Sequence, residues 1–504
     1  MGRVIEENDV AKVCEGWPYP LYSLKKYPFT AAEEELFRAI VDVLLKKNSI
    51  VYVEFKILPK EAEELFKNTF RDEVLLKIPP QTFSKLPKEE EKEQITNTIA
   101  DYLRKFDVQN PKRLAEEIVN RVFGLGILEE FLEDDTLEEV MVNGENRPVF
   151  VFHRRLGMCK TDVYLSKEDI LRYIKKVAVW ANKAVNERNP LLDAHLPNGD
   201  RFNATVPPVS VLGPTITIRK FRRRPFTLLD IIKKGTLPEE VAAFLWLAVD
   251  GLGVAPRNVL ITGGAGAGKT TTLNALLDFV PLEQRIITVE DTKELDIPFH
   301  ENWVPLITRP GTRDCKAVTM DELLRNALRM RPDRIVMGEV RGPEAETLFV
   351  AMDVGHQGTM GTLHANSARE VLLRLKSPPM NVPEDLLPLM NIIVVQHRLR
   401  EGKSTVRRVM EVAEVTRMDE KVLLSDVYRW NPAKKALERT DVPSHTLEEM
   451  HEVLGVTKSW INEELVRRER VLRWAVRHVS SREEFIKLVN AYYADPEGVY
   501  NVIS

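Results

Sequence analysis

The residues best suited to chemistry form one glycine-rich segment, Gly263-Gly264-Ala265-Gly266-Ala267-Gly268-Lys269-Thr270. This segment follows the apolar run Asn258 to Thr262 and precedes a helical pattern that starts at Thr271. Glycines at this spacing let consecutive backbone N–H groups point at one phosphate, and the start of a helix adds partial positive charge. The segment therefore predicts a phosphate-binding loop, in which Lys269 reaches the terminal phosphates and the Thr270 hydroxyl ligates magnesium.

Dinucleotide binding is a second interpretation of the same glycines, and it fails on spacing. Counted from Gly264 and Gly266, the third glycine that such a site requires would fall at Lys269. A glycine-rich turn without a ligand is the remaining alternative. The strand before the loop and the helix after it both argue against that alternative.

Two apolar runs end in acidic residues that could serve hydrolysis. The run that starts at Arg334 ends at Glu339, and a second run ends at Glu290 and Asp291. In a parallel sheet, such strand ends lie at the edge where the phosphate loop begins. Glu339 is the first candidate to orient water or magnesium. One of the carboxylates could hold the attacking water while another supports magnesium, a division that the residues alone leave open.

Two of the nine histidines, His356 and His364, fall in one glycine-rich stretch after the run that ends at Glu339. A contact with phosphate, or a sensor role, fits these residues better than zinc. No cysteine lies nearby in the sequence, and the helical H-E-x-x-H spacing is absent.

Composition excludes several classes of protein. The 504 residues are 44% hydrophobic and 29% charged with a formal net charge of −4, which argues against wholesale disorder and against a uniformly basic DNA-binding surface. The three cysteines, Cys14, Cys159 and Cys315, are too far apart in sequence for a C-x-x-C metal or redox pair. We therefore expect a reducing, cytoplasmic compartment, with neither a signal peptide nor a transmembrane span.

Alternating strand-like and helical patterns surround the phosphate loop. Runs rich in β-branched residues begin at Asn258, Arg285, Arg334 and Asn391, which predicts an α/β fold with a helix-covered, largely parallel sheet. We expect residues 1–110 to form a helical or α+β partner-binding region, 111–225 an N-terminal α/β domain, 226–240 a linker, 241–440 the P-loop domain and 441–504 a helical C-terminal region.

Four of these segments occur in the order found in the secretion ATPase superfamily, which powers type II secretion and the assembly of type IV pili and archaeal flagella. They are the phosphate loop, Ile287 to Asp291, Met337 to Gly342, and Gly355 to His364. Upstream segments such as Leu196 to Gly199 and Ile218 to Phe221 extend the resemblance to roughly Pro111 to Met418. The chain thus resembles this superfamily, and its helical C-terminus looks like that of archaeal members.

This resemblance implies a cytoplasmic homohexamer that binds ATP and Mg²⁺ and hydrolyses ATP. Each subunit would join a RecA-like ATPase domain to the N-terminal α/β domain, with ATP in the cleft between them. Arg201 and Arg219 match N-domain arginines that reach the nucleotide in such proteins, although either could instead form a surface salt bridge. The implied catalytic residues are Lys269, Glu290, Glu339, His364 and Arg219, the nucleotide-binding ones are Gly263 to Thr271 with Arg201 and Arg219, and the magnesium ligands are Thr270, Asp291 and Glu339.

The sequence departs from the superfamily pattern at two places. The tetracysteine zinc subdomain of many bacterial members is missing, which implies no zinc and favours an archaeal-type member. The usual Thr-Gly-His is replaced by Val354-Gly355-His356. Because a motor without a membrane span must pass its force to a partner, the resemblance implies a polytopic membrane platform protein that holds the chain at the inner face of the membrane.

Two other functions stay open at this point. Conjugative, DNA-translocating ATPases share the P-loop core, and the basic run Arg219 to Arg224 could contact DNA. The chain is net acidic, however, so nucleic acid is not the expected partner. A nonhydrolysing, nucleotide-gated scaffold would tolerate loss of Glu339. The residues do not separate pilus from archaeal flagellum or secreted substrate, nor assembly from retraction.

Overall fold

Two compact units, Met1–Arg223 and Arg224–Ser504, make up the chain. The computed structural model describes residues 3–25, 29–46, 55–83, 86–221, 225–309, 311, 315–401, 404–418 and 421–503. Half of the basic run noted above, residues 222–224, lies outside the described residues. Within the described ranges, no helix is both long enough and apolar enough to cross a membrane.

A nine-stranded sheet forms the centre of the first unit. Its strands are β1 Val4–Glu7, β2 Ala11–Cys14, β3 Leu21–Leu24, β4 Leu137–Val142, β5 Pro148–His153, β6 Gly157–Tyr164, β7 Leu191–His195, β8 Arg201–Thr205 and β9 Thr215–Arg219. They lie in the order β1-β2-β3-β6-β5-β4-β9-β8-β7, with β3 and β6 parallel and the other neighbours antiparallel. Strands such as β7 alternate exposed and buried residues, as expected of a sheet with one face in the core.

The helices of the first unit belong to two hydrophobic cores. They are α1 Ala31–Lys46, α2 Lys60–Glu73, α3 Glu89–Leu103, α4 Pro111–Val122, α5 Leu128–Glu133 and α6 Lys167–Trp180. Helices α1 to α4 share one core, and α5 and α6 pack with the sheet in another. The expected boundary after residue 110 therefore separates parts that pack together, because α4 joins the core of α1 to α3 and β3 pairs with β6.

A second nine-stranded sheet organises the second unit. Its strands are β10 Val259–Thr262, β11 Ile286–Glu290, β12 Trp303–Ile307, β13 Arg334–Val340, β14 Met360–Leu363, β15 Ile392–Glu401, β16 Ser404–Met418, β17 Lys421–Asn431 and β18 Ala436–Arg439. The order is β12-β11-β13-β14-β10-β15-β16-β17-β18, parallel as far as β15 and antiparallel beyond it. The predicted helix-covered parallel α/β sheet is confirmed, and the antiparallel meander β16 to β18 extends it.

Helices cover this second sheet and continue to the C-terminus. They are α7 Leu228–Lys233, α8 Glu239–Asp250, α9 Lys269–Leu276, α10 Met320–Ala327, α11 Glu344–Asp353, α12 Ala368–Lys376, α13 His445–Leu454, α14 Lys458–His478, α15 Arg482–Ala494 and α16 Pro496–Ile503. Helix α7 occupies part of the expected linker 226–240, and its Leu228 and Leu229 are buried in the core of the second unit. The predicted C-terminal helices are confirmed, and Leu472 and Phe485 pack in that same core.

A buried ion cluster joins the C-terminal helices to the sheet domain. The guanidinium of Arg468, on α14, donates to both carboxylate oxygens of Asp250, on α8, at 2.7 and 2.9 Å. Its Nε donates to Glu464 Oε1 at 2.8 Å, and the group lies 4.9 Å from the centre of the Trp246 ring. Because Arg468 is only 2% exposed, its charge depends on these partners. The C-terminal helices are thus an integral part of the second unit.

Candidate functional site

The phosphate loop connects β10 to α9 and needs glycine at three positions. Gly263, Gly266 and Gly268 have φ angles of +155°, +69° and +94°, which residues with a β-carbon rarely adopt. A β-carbon on Gly263 would also lie 2.0 Å from the carbonyl oxygen of Gln396. The glycine spacing in the sequence therefore serves both the backbone conformation of this loop and its close approach to β15.

Lys269, the first residue of α9, stands beside His364 and Glu339. Its Nζ lies 3.3 Å from Nε2 of His364, and Oε1 of Glu339 lies 3.1 Å from the same Nε2. The Lys269 ammonium is also 3.4 Å from the carbonyl oxygen of Gly264, inside the loop. Because β10, β14 and β13 are parallel neighbours, the residues at their carboxyl ends meet at one edge of the sheet. Three residues singled out in the sequence are thus brought together.

Burial and neighbouring charge set the protonation of this cluster. Burial lowers the pKa of Lys269, and the Glu339 carboxylate acts in the opposite direction. Burial also lowers the pKa of His364, and the positive charge of Lys269 lowers it further. The Glu339 carboxylate opposes this shift, and the net lowering of the pKa favours the neutral imidazole, in which one ring nitrogen can accept a hydrogen bond while the other donates one.

Glu290, at the end of β11, is 2% exposed and bonded through only one of its oxygens. Its Oε1 accepts hydrogen bonds from the backbone N–H groups of Glu294 and Leu295 at 3.0 and 3.1 Å. Its Oε2 is buried and accepts a hydrogen bond from no residue that the structure describes. Burial raises the pKa of Glu290 to about 7. A carboxyl group with a bare oxygen and this pKa can exchange a proton at neutral pH.

The two candidate acids lie on neighbouring strands. A β-carbon on Gly338, the residue before Glu339, would lie 2.8 Å from Cγ of Glu290, so the glycine makes room for that side chain. Asp291, next to Glu290, accepts a hydrogen bond from the Thr308 hydroxyl at 3.0 Å and forms an ion pair with Arg341. Glu290 and Asp291 therefore both contact identified residues, and the partners of Asp291 include the positively charged Arg341.

The remaining nucleotide-site candidates on α9, Thr270 and Thr271, follow Lys269 in the first helical turn and are partly exposed. His356 lies away from His364, because it precedes β14 whereas His364 follows the carboxyl end of that strand. Among the residues that the structure describes, no group of three or more His, Cys, Asp or Glu side chains could hold a metal ion.

Arg201 and Arg219, in the first unit, are directly opposite each other on the antiparallel strands β8 and β9. Arg219 is exposed, and on its other side it faces Glu139 of β4. Residues that pair across antiparallel strands project from the same face of the sheet. The two candidate arginines therefore form one basic pair on this face.

Sequence reasoning missed two side chains that contact the phosphate loop from β15 and β16. Gln396, which is 1% exposed, donates from Nε2 to the carbonyl oxygen of Ala267 at 2.7 Å. Arg407 donates from Nε to the carbonyl oxygen of Gly266 at 3.1 Å. One signal was available in the sequence, since Gln396 is a lone amide at the end of the apolar run Ile392 to Val395.

Comparison with known proteins places the chain in a family. The family model for type II/IV secretion system proteins matches residues 123–484. An uncharacterized protein of Methanocaldococcus jannaschii is 31% identical over 81% of each chain, and the type IV secretion system protein VirB11 of Bartonella henselae is 31% identical over 60% of this chain and 96% of its own. The crystal structure of the VirB11 ATPase of Brucella suis, with sulphate, covers 57% of this chain and 92% of its own at 28% identity and a TM-score of 0.29. The X-ray structure of the Legionella pneumophila ATPase DotB covers 72% and 94% at 19% identity and a TM-score of 0.40.

The family match extends over more than half of the chain and includes the phosphate loop, both acidic strand ends and His364. It also includes Arg201 and Arg219 of the first unit, and most of the C-terminal helices. The resemblance seen in the sequence is thereby confirmed: the chain belongs to the type II/IV secretion system protein family.

Proposed function

We propose that this chain is a cytoplasmic ATPase motor, which hydrolyses ATP to ADP and phosphate to drive protein secretion or the assembly of a type IV pilus-like or archaeal flagellum filament. The observation that carries this proposal is the contact of Lys269 with His364 and of His364 with Glu339, beside the phosphate loop. This arrangement offers one cation and one carboxylate where the terminal phosphates of ATP would lie.

Each residue of the site has a distinct part in the proposed reaction. Lys269 neutralises charge on the terminal phosphates, which builds up in the transition state. Glu290 accepts a proton from the attacking water, because its pKa of about 7 and its unbonded Oε2 suit a general base. His364 holds the Glu339 carboxylate beside Lys269. The exposed Arg219 is proposed to meet the nucleotide from the N-terminal domain, with Arg201 beside it.

Magnesium suits the oxygen donors of this site. The Thr270 hydroxyl and the Glu339 carboxylate would hold the ion, which takes few protein ligands and completes its shell with phosphate oxygens and water. Bound magnesium supplies neutralisation of phosphate charge. Asp291 already pairs with Arg341, so we assign it to holding that arginine instead of the ion.

The measurement of phosphate release from ATP tests the proposed activity. The purified chain should release phosphate from ATP when Mg²⁺ is present. This release should stop when the Mg²⁺ is chelated. Absence of release under all conditions, with ATP still bound, would favour the nonhydrolysing scaffold. Stimulation by single-stranded or duplex DNA, with retention of that DNA on a filter, would instead favour DNA translocation.

Assembly into a homohexamer, with a polytopic membrane platform protein as partner, is part of the same proposal. It is supported by the family match and by the sequence similarity to a type IV secretion system protein. If each site depends on its neighbours in a ring, turnover per subunit should rise with protein concentration, and light scattering should show hexamers when nucleotide is present. A monomer with full, concentration-independent activity would contradict the ring.

A further inference from the structure

The hairpin of β15 and β16 holds the phosphate loop through the loop's carbonyl groups. The side chain of Gln396 donates to the carbonyl oxygen of Ala267 and accepts a hydrogen bond from the hydroxyl of Thr272, both at 2.7 Å. Thr272 lies on α9, the helix that follows the loop. Because a carbonyl oxygen only accepts hydrogen bonds, the Ala267 carbonyl requires the NH2 end of the Gln396 amide to face the loop. The Thr272 hydroxyl anchors the oxygen at the other end, so both ends of that buried amide are satisfied.

The orientation of a carbonyl group determines the direction of the next N–H. In a trans peptide the two groups lie in one plane and point in opposite directions. The Gly266 carbonyl is held by Arg407, and the N–H of Ala267, in the same peptide, points inward and donates to the Gly264 carbonyl at 3.2 Å. The next peptide is held in the same way by Gln396. The N–H of Gly268 therefore points away from Gln396, toward the interior of the loop.

We propose that Gln396 is a positioning residue for nucleotide phosphate, which acts by fixing the Ala267–Gly268 peptide so that the Gly268 N–H faces the bound phosphate. The inference rests on the proposed function only in taking a nucleotide as the ligand of the loop. Because the Gly268 N–H already points toward the phosphate site, the loop does not have to reorganise when the nucleotide binds. Binding of the nucleotide is therefore not weakened by the free-energy cost of ordering the loop. Without Gln396 this peptide would lose the hydrogen bond that holds its carbonyl group.

Thr272 supports the same arrangement, since its hydroxyl anchors the oxygen of the Gln396 amide. Loss of that hydroxyl leaves Gln396 in place but removes one of the two hydrogen bonds that hold its amide. A valine at position 272 keeps the shape of the side chain, and a serine keeps the hydroxyl. These two variants separate the anchoring hydrogen bond from packing.

Equilibrium binding of ADP carrying a fluorescent N-methylanthraniloyl group, with Mg²⁺, tests the proposal in the full-length chain without requiring hydrolysis. Gln396→Leu should bind this probe about tenfold to a hundredfold more weakly than the unmodified chain, the range expected when one hydrogen bond to a charged ligand is lost. Thr272→Val should weaken binding in the same direction, and Thr272→Ser should recover most of the affinity. Ser444→Ala, which removes one buried hydrogen bond to Glu414 and the side-chain N-cap of α13, serves as the control for lowered stability.

Affinity and melting temperature, measured together, separate positioning from general stability. The proposal is overturned if Gln396→Leu binds the probe as tightly as Ser444→Ala does, or if Thr272→Val and Thr272→Ser bind alike. Should Gln396→Leu fail to fold, the two Thr272 variants decide the matter. A chain that binds the probe but never hydrolyses ATP would refute the proposed function and leave this inference to be decided by the affinities. A chain that does not bind the probe would refute both.

Discussion

Oε1 of Glu339 lies 3.1 Å from Nε2 of His364, and the same ring nitrogen lies 3.3 Å from Nζ of Lys269. The contact joins the carboxyl ends of β13 and β14, which are parallel neighbours. It holds a carboxylate beside the lysine that follows the phosphate loop, while keeping a neutral imidazole between the two charges. A lysine and a carboxylate are groups that can neutralise phosphate and hold a divalent cation.

Glu339→Gln should retain ATP binding but lose most of its turnover. The amide preserves the shape of the side chain and removes the charge that supports magnesium. Nucleotide affinity and steady-state ATP hydrolysis, measured on the same preparation, check this expectation. An inactive Glu290→Gln together with a nearly normal Glu339→Gln would show that Glu339 has no essential role.

The rate of hydrolysis should rise with pH around neutrality. Burial raises the pKa of Glu290 to about 7, so this carboxyl group is protonated below that pH and becomes a base above it. The pH profile of kcat should therefore show an inflection near pH 7, and Glu290→Gln should remove it along with most of the turnover. An unchanged profile in Glu290→Gln would assign the inflection to another group.

The raised pKa of Glu290 also predicts that the stability of the folded chain falls as pH rises, whereas the rate of hydrolysis increases. Because the pKa of Glu290 is higher in the folded chain than its ordinary value of 4.5, the folded chain binds more protons between pH 4.5 and about 7. Stability is therefore lost as pH rises through that window. Relative to the wild type, Glu290→Gln should gain roughly 3 kcal/mol at pH 8 and nothing below pH 4. Denaturant titrations at both pH values measure the difference, and a gain of equal size at both would contradict the assignment.

Arg219→Ala should lower turnover by more than about tenfold and leave ADP binding almost unchanged. The guanidinium can offer paired donors to the terminal phosphate, which ADP lacks, so Arg219→Lys should rescue only part of the rate. Arg222→Ala is the matched control from the same basic run. Equal losses in the Arg219 and Arg222 variants, or a parallel drop in ADP affinity, would indicate a general basic surface.

Loss of Arg468 should destabilise the second unit strongly. Arg468→Ala strands the buried Asp250 carboxylate, at an expected cost of about 3–5 kcal/mol. Arg473→Ala breaks an exposed ion pair with Glu469 on the same helix and should cost less than about 1 kcal/mol. Urea denaturation of both variants provides the comparison. Similar small losses would mean that α14 is not integral to this unit.

The residues of the site that could be predicted from the sequence are those in recognisable motifs or at the carboxyl ends of strands. Glu339 is predicted beside the phosphate loop because it stands at the carboxyl end of an apolar run, and parallel strands bring such ends to the edge where the loop begins. For His364 the residues predict only a phosphate contact or a sensor role, and its catalytic role comes from the family resemblance. Gln396 was missed because a single amide in an apolar strand has no motif. Its role appears only when β15 is placed beside the phosphate loop, and that neighbour relation is not encoded in local periodicity.

The limits of fold prediction have the same physical origin. Strands β1 to β3 join the sheet of the first unit through the pairing of β3 with β6, which lies far along the chain, and the local pattern of either strand does not specify that partner. Strands β16 and β17 were missed because charged residues interrupt their apolar positions, although both faces of β16 are covered, with Val409 and Val412 in one core and Ala413 and Val415 in another. The buried pair Arg468 and Asp250 likewise joins distant helices.

The central claim, that the glycine-rich loop and Lys269 form the site of ATP hydrolysis, is tested most directly by the rate of phosphate release from ATP by Lys269→Ala. Backbone donors alone cannot replace the lysine charge on the terminal phosphates. Lys487→Ala, which removes an exposed lysine of α15, is the control for loss of a positive charge. Our account predicts no measurable hydrolysis by Lys269→Ala and wild-type hydrolysis by Lys487→Ala, and wild-type turnover in Lys269→Ala would contradict it.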